Sequence, residues 1–372
     1  LDVQSRIPVG VLGATGAVGQ RFVSLLADHP WFELAAITAS DRSAGRPYAE
    51  AANWVIPGDM PGEAADLIVQ PTDDPAALGS DVRIVFSALP SGAAREVEPA
   101  LAAAGYIVCT NASALRMTED VPLLIPDINP DHVRLIDAQR ERRGWGGLIV
   151  ASPNCSTTGI IFPLKALDDA FGAVQAHVVT MQAISGAGYP GVASFDILDN
   201  VVPYIGGDEE NKVENEPRKL LGVLEDGGIR LAPLTISAQT NRVPVMDGHL
   251  AAMSLKLDKP ATLADVRTAL AAYRAPDEVR ALPSAPDAPI VVRDEPDRPQ
   301  PRRDRDAGAG MVITVGRIQP CPVFDVKLVS LVHNTLRGAA SGAILNAEWL
   351  VASGYLGGEW QRRAIGVAQT VH

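Results

Sequence analysis

Ile7-Pro8-Val9-Gly10-Val11-Leu12-Gly13-Ala14-Thr15-Gly16-Ala17-Val18-Gly19-Gln20 sets an apolar run against a turn punctuated by glycine, and Phe22, Val23, Leu25 and Leu26 follow at helical spacing. The stretch reads strand, tight turn, helix. Glycines at 13, 16 and 19 let the backbone turn sharply and approach a pyrophosphate, whose charge would rest on the helix N-terminus. Gly13, Thr15, Gly16, Ala17 and Val18 are therefore candidate dinucleotide-binding positions, and the residues alone leave a merely tight turn open.

Working outward, a second strand at 33–40 ends without an acidic residue at its tip, followed by Asp41, Arg42 and Ser43. An acid there would hold the ribose hydroxyls of NAD. Ser40, Arg42 and Ser43 instead suit the extra phosphate of NADP, with a solvated polar loop as the alternative. Further strands at 66–69, 82–89 and 106–110 alternate with Ala-rich segments, the pattern of a parallel, doubly wound sheet. Ser87 and Leu89 fall at a strand's carboxyl end, where such sheets bind ligands. Cys109 lies inside an apolar strand and reads as core.

Length and charge bound the rest. A chain of 372 residues with 47% hydrophobic content suits two domains. A net charge of −12 argues against a nucleic-acid partner and fits a small-molecule enzyme. Three scattered cysteines make neither a disulfide framework nor a paired metal motif, so a reducing cytoplasm is expected. The six histidines include no HExxH, and no metal site is expected. No apolar run reaches membrane-spanning length and no signal-peptide pattern is present; the chain opens at Leu1 without Met, as a trimmed or tagged one would.

At Ser152-Pro153-Asn154-Cys155-Ser156-Thr157-Thr158-Gly159 a single thiol stands between the strand-like run 147–151 and an apolar helical run. Unpaired N–H groups at a helix start favour a thiolate and can bind an oxyanion, so Cys155 is a candidate nucleophile; a buried structural thiol remains open. If that helix starts at Cys155, Pro163 should kink it. Beyond it, strands at 175–183, 249–257, 311–315 and 324–332 suggest a mixed or antiparallel sheet with helices on one face, an α+β unit. Thr262-Leu263-Ala264-Asp265 marks a capped helix, 283–306 reads as a long Pro-rich loop, and 334–350 as the last helix. His249 follows an Asp-Gly turn that could bring it to Arg242 across a hairpin or loop, making it the best acid/base candidate. Glu209 and Lys212 share a helix face, where an exposed ion pair is the ordinary explanation.

Taken together, the 13–19 glycine turn, Ser113-Ala114-Leu115-Arg116-Met117, the 152–158 cysteine motif, Gln182-Ala183-Ile184-Ser185-Gly186-Ala187-Gly188, Glu209 with Lys212, and Arg242 to His249 resemble the aspartate-semialdehyde dehydrogenase family in its archaeal and fungal branch. The match runs from about Ile7 to Leu350. The resemblance implies an α/β fold: a Rossmann-like NADP-binding domain at 1–153 and 334–372, with the C-terminal helix returning, and an α+β catalytic and dimerisation domain at 154–333. It implies NADP-dependent reductive dephosphorylation of L-4-aspartyl phosphate to the semialdehyde, on the route to lysine, threonine and methionine, by a homodimer or homotetramer. Cys155 would be the nucleophile, His249 the acid/base and Gln182 the group placing the acyl substrate. Arg242 would pair with the α-carboxylate, Glu209 and Asn154 would orient substrate, and Arg116 and Lys212 would hold phosphate in a locally cationic pocket. Ser185, Gly186 and Asn346 would lie near the nicotinamide. A malonyl-CoA reductase of the same branch and a non-catalytic NADP-binding protein are the alternatives.

Overall fold

The computed structural model describes residues 6–357, so the remainder of the expected 1–153 and 334–372 unit, including His372, lies outside the described residues. β1 (Ile7–Leu12), β2 (Phe32–Ala39), β3 (Gln70–Pro71), β4 (Ile84–Ser87), β5 (Ile107–Thr110) and β6 (Leu148–Ala151) form a parallel sheet of order β3-β2-β1-β4-β5-β6. Its central strands are buried along nearly their whole length, as unbroken apolar runs require when both faces are covered. The strand order reverses between β1 and β4, which opens a ligand crevice at their carboxyl ends. Among the longer helices, α1 (Ala17–Leu26), α2 (Ser91–Ala103) and α3 (Leu135–Arg143) are the crossovers of this sheet.

The strand expected at 66–69 is displaced. Those backbones are taken by the 45–48 loop, with Tyr48 N–H donating to Leu67 O at 2.9 Å and Val69 N–H to Arg46 O at 3.0 Å, so ladder pairing begins only at Gln70.

β7 (Ala173–Gln182), β10 (Thr235–Arg242), β11 (His249–Leu257), β12 (Ile290–Val292), β13 (Ile313–Pro320) and β14 (Val326–Val332) form a mixed sheet of order β10-β7-β11-β14-β13-β12, while β8 (Val223–Glu225) and β9 (Gly228–Arg230) make a small hairpin. Helices α4 (Cys155–Phe171), α5 (Glu209–Leu220) and α6 (Leu263–Ala272) pack against the mixed sheet, the last opening on the expected capping box. α7 (Ala340–Ala352) packs on α1, β4 and β5.

Pro163 lies inside α4, as expected for a helix that starts at Cys155, and the carbonyl it strands, Gly159 O, accepts from Ser330 Oγ at 2.5 Å, so the missing helical bond is replaced from β14. Three expectations are corrected. The 283–306 stretch holds a short strand, β12, but at the sheet edge, where flanking prolines are tolerated. The last helix starts at Ala340 rather than 334, because residues 334–339 are folded into turns, with Gly338 N–H donating to His333 O at 3.1 Å and Ala339 N–H to Leu336 O at 3.0 Å. Arg242 and His249 do not face each other across a hairpin, because β7 lies between β10 and β11.

Candidate active site

Three strand ends of the mixed sheet converge on the start of α4. Arg242 closes β10 in register with Gln182, the last residue of β7, and His249 opens the neighbouring β11. Ala183 secures two of the three, donating its N–H to His249 Nδ1 at 3.0 Å and accepting from Arg242 Nη1 at 2.7 Å. With Nδ1 an acceptor, the neutral ring carries its proton on Nε2, which is buried and has no partner among the described residues. Burial, then the nearby Arg242 and His333, push His249 down to about 3, so the ring is uncharged at working pH. Asn334 braces this corner, accepting from Gly248 N–H and donating to Ser185 Oγ, both at 2.8 Å. Gly186 leaves open the space in front of it: a Cβ there would lie 2.9 Å from Arg242 Nη1 and 3.0 Å from His249 Nε2.

Cys155 is the first residue of α4. Asn154 caps the helix, its Oδ1 accepting from Ser156 N–H at 2.8 Å and Thr157 N–H at 3.2 Å, while its Nδ2 donates to Glu209 at 2.8 Å. The thiol is pushed up to about 12, by burial first and then by Glu209, against the pull of Arg116 and Arg242. It is therefore a thiol rather than a thiolate before substrate arrives. Gly338 lets the 334–339 turns press on it, since a Cβ at that position would sit 2.8 Å from Cys155 Cβ.

The charged groups are partly spent on one another. Arg116 donates to Glu216 at 2.9 Å and to Asn111 O at 2.7 Å, and its buried Nε has no partner. Lys212 donates to Glu209 at 3.3 Å. Against the cations Arg116, Lys212 and Arg242 stand the carboxylates Glu209 and Glu216, so the pocket is cationic by one charge rather than three. Arg242, buried, is lowered by desolvation and held up by Cys155 and Glu209. Gln182 is buried beside it, donating to Thr180 Oγ1 at 3.3 Å.

The dinucleotide turn stands at the end of β1. Gly13 has φ +72°, and a Cβ on it would meet Ala88 O at 3.1 Å; a Cβ at Gly19 would strike Gly13 O at 2.2 Å. Gly16 stands at the N-cap of α1 with no side-chain cap, leaving the first-turn N–H groups beyond Thr15, at Ala17 and Val18, for an anion. A cleft of about 540 Å³ runs from Ala17 and Arg21 at the start of α1 to Ser185, Met246 and Thr335. Bare glycines, an uncapped helix start and an open cleft fit a dinucleotide. Ser40 and Arg42 are exposed on the loop after β2, beside half-buried Ser43. Ser87 and Leu89 are buried under the turn, and Asn346 donates to Ser152 Oγ at 3.1 Å with its buried Oδ1 unpartnered. Among the described residues no group of side chains could hold a metal ion, and no helix is long and apolar enough to cross a membrane.

Sequence reasoning missed Ala183, Asn334, Glu216 and Lys219. The first acts through its backbone, which leaves no trace in residue type. Glu216 and Lys219 lie seven and ten residues beyond Glu209, a helical repeat that could have been followed.

Two family descriptions match the chain: semialdehyde dehydrogenase, NAD binding domain, over residues 8–136, and semialdehyde dehydrogenase, dimerisation domain, over 164–337. The aspartate-semialdehyde dehydrogenase of Archaeoglobus fulgidus is 50% identical over 346 residues, covering 93% of this chain and 98% of that one. The crystal structure of aspartate-semialdehyde dehydrogenase with NADP from Candida albicans superposes with a TM-score of 0.85 at 42% identity, covering 93% of this chain and 98% of the other. Aspartate-semialdehyde dehydrogenase II from Vibrio cholerae, complexed with ASA, gives a TM-score of 0.73 at 25% identity with the same coverage.

Proposed function

Because the chain belongs to the aspartate-semialdehyde dehydrogenase family and has that activity in amino-acid biosynthesis, we propose that Cys155 is the nucleophile of the reaction. The observation that supports this most is the cluster of Arg242 and His249 around Ala183 and Gly186, with Arg242 near enough to act electrostatically on Cys155 at the start of α4. Cys155 Sγ attacks the acyl carbon of aspartyl phosphate; the C–O bond to phosphate breaks, and the thiol proton leaves with the phosphate, so charge is conserved. With the Ser156 and Thr157 N–H groups taken by the Asn154 cap, His249 Nε2–H is the donor left to face charge that develops on the carbonyl oxygen. The neutral ring thus works first as a hydrogen-bond donor to the oxyanion, both of the tetrahedral intermediate that precedes the thioester and of the thiohemiacetal.

Arg242 pairs with the substrate carboxylate, where a planar fork suits two oxygens. Gln182, Glu209 and Asn154 orient the acyl chain, and Arg116 and Lys212 receive the phosphate. The cofactor is NADP, whose reduced form would supply hydride for reduction of the thioester when bound. Gly13, Thr15, Gly16, Ala17 and Val18 would hold its pyrophosphate, Ser40, Arg42 and Ser43 its ribose phosphate, Ser87 and Leu89 the floor of its site, and Ser185, Gly186 and Asn346 its nicotinamide end.

The division into an NADP-binding unit (1–153 and 334–372) and a catalytic unit (154–333) is favoured by α7 packing on the first sheet. The chain carries a dimerisation domain, and a homodimer or homotetramer is favoured further by exposed Phe195, Leu198 and Tyr204 on one segment. Three free thiols suit a reducing cytoplasm. The test of the substrate reading is oxidation of aspartate semialdehyde with NADP, with and without phosphate. A strict phosphate requirement is expected; turnover only with free coenzyme A in place of phosphate would overturn it.

A further inference from the structure

One helix edge organises the phosphate side of this site. Glu209, Lys212, Glu216 and Lys219 recur on α5 at intervals of three, four and three residues, so they form a single stripe along the helix. Glu209 accepts from the Asn154 side chain, and Glu216 accepts from Asn154 N–H at 2.6 Å and from Arg116 at 2.9 Å. Lys219 ends the stripe at 3% exposure, with its Nζ donating to Arg116 O at 2.7 Å and to Thr118 O and Val121 O at 2.8 Å. All three ammonium N–H groups are thus spent on three carbonyls of one loop. Elsewhere the loop is tied at its far end, where Asp120 O accepts from Gln139 Nε2 at 3.0 Å and the Asp120 carboxylate pairs with Arg143, whereas its Arg116 end has turn bonds such as Thr118 N–H to Leu115 O. Burying an ammonium is costly, and this one spends all its donors on holding the course of the loop next to Arg116.

We infer that Lys219 is a positioning residue for phosphate: it clamps the loop that carries Arg116, so that the guanidinium is held with its buried, unpartnered Nε beside the nucleophile. The inference rests on the reading of Arg116 as a phosphate ligand. Glu216 fixes the guanidinium from its other side and, through Asn154 N–H, fixes the residue before Cys155 to the same helix. Loss of the ammonium frees the loop without touching the dinucleotide turn.

The test is the phosphate-dependent oxidation of aspartate semialdehyde by the full enzyme, with KM measured separately for phosphate and for NADP. Lys219→Met keeps the stem and removes the donors. It is expected to raise the phosphate KM by about tenfold or more, since small misplacements of a binding group are that costly, while the NADP KM stays within about twofold. In an Arg116→Gln background the same substitution should add almost nothing. Equal effects on both KM values, or full additivity with Arg116→Gln, mark a merely structural lysine and overturn the inference.

Should Lys219→Met fail to fold, the unaltered enzyme still decides. Burial pushes Lys219 down to about 8, against Asp120 and Glu216, which hold it up; Asp120 is itself paired with Arg143 and Glu216 with Arg116, and His132 is the remaining titratable neighbour. The phosphate KM should therefore climb between about pH 7 and pH 9.5 as that proton is lost, with the NADP KM level; a flat phosphate KM overturns the inference. If the unaltered enzyme ignores phosphate altogether, the acyl-phosphate reading falls and takes this inference with it. If it needs phosphate but Lys219→Met binds phosphate as before, only the role of Lys219 falls.

Discussion

At Cys155 and His249 the unliganded site holds a thiol and a neutral imidazole, not a thiolate beside an imidazolium, because burial penalises both charged forms. Alkylation of Cys155 by iodoacetamide, followed on its own peptide, should therefore accelerate steadily with pH, with no plateau below about pH 9. A rate already level at neutral pH would contradict a thiol held in its neutral form. His249→Asn removes the Nε2 donor and should lower kcat by about 10² to 10⁴-fold while leaving NADP affinity intact. Both residues could be singled out in the sequence, one by its place before an apolar helical run and the other by its Asp-Gly turn. Their ionisation could not, since it depends on the desolvation and on the Ala183 and Arg242 contacts that only the folded chain provides.

The elements show the same division. The 7–20 strand-turn-helix, the capping box at Thr262 and β11 stand where sequence periodicity places them. β10 was invisible because it is an edge strand with few large apolar residues; its Ala238 and Thr240 N–H groups are satisfied by Glu214 and Glu210 of α5 at 2.9 and 3.0 Å, not by another strand. The bond that replaces the one Pro163 removes from α4 was likewise hidden in a residue far along the chain, Ser330. Ser330→Ala should cost about 1–3 kcal/mol by stranding Gly159 O in the interior. In a Pro163→Ala background, where a helical N–H returns to that carbonyl, the same change should cost clearly less. Equal losses in both backgrounds, by urea unfolding, would show that Ser330 does not compensate for the proline.

Across the whole molecule, the two sheets are joined at the active site by buried polar ties. Arg337, just before α7, pairs with Asp127 and lies 4.7 Å over the Phe162 ring of α4, while Tyr273 Oη donates to Asp127 O at 2.6 Å. Arg337→Met leaves Asp127 as an uncompensated buried charge and should cost about 3–5 kcal/mol in unfolding measurements. Pairings separated by more than 200 residues carry no local signature, which is why the α/β class was legible in the sequence and this junction was not. The catalytic claim that depends on the junction is a covalent bond from Cys155 to the acyl carbon. Its most direct measurement is a single turnover of aspartate semialdehyde with NADP in the absence of phosphate. The account predicts a rapid burst of about one NADPH per subunit together with an aspartyl adduct on the Cys155 peptide by mass spectrometry, both lost in Cys155→Ser. A burst of the same size in Cys155→Ser, or an adduct on any other residue, would contradict it.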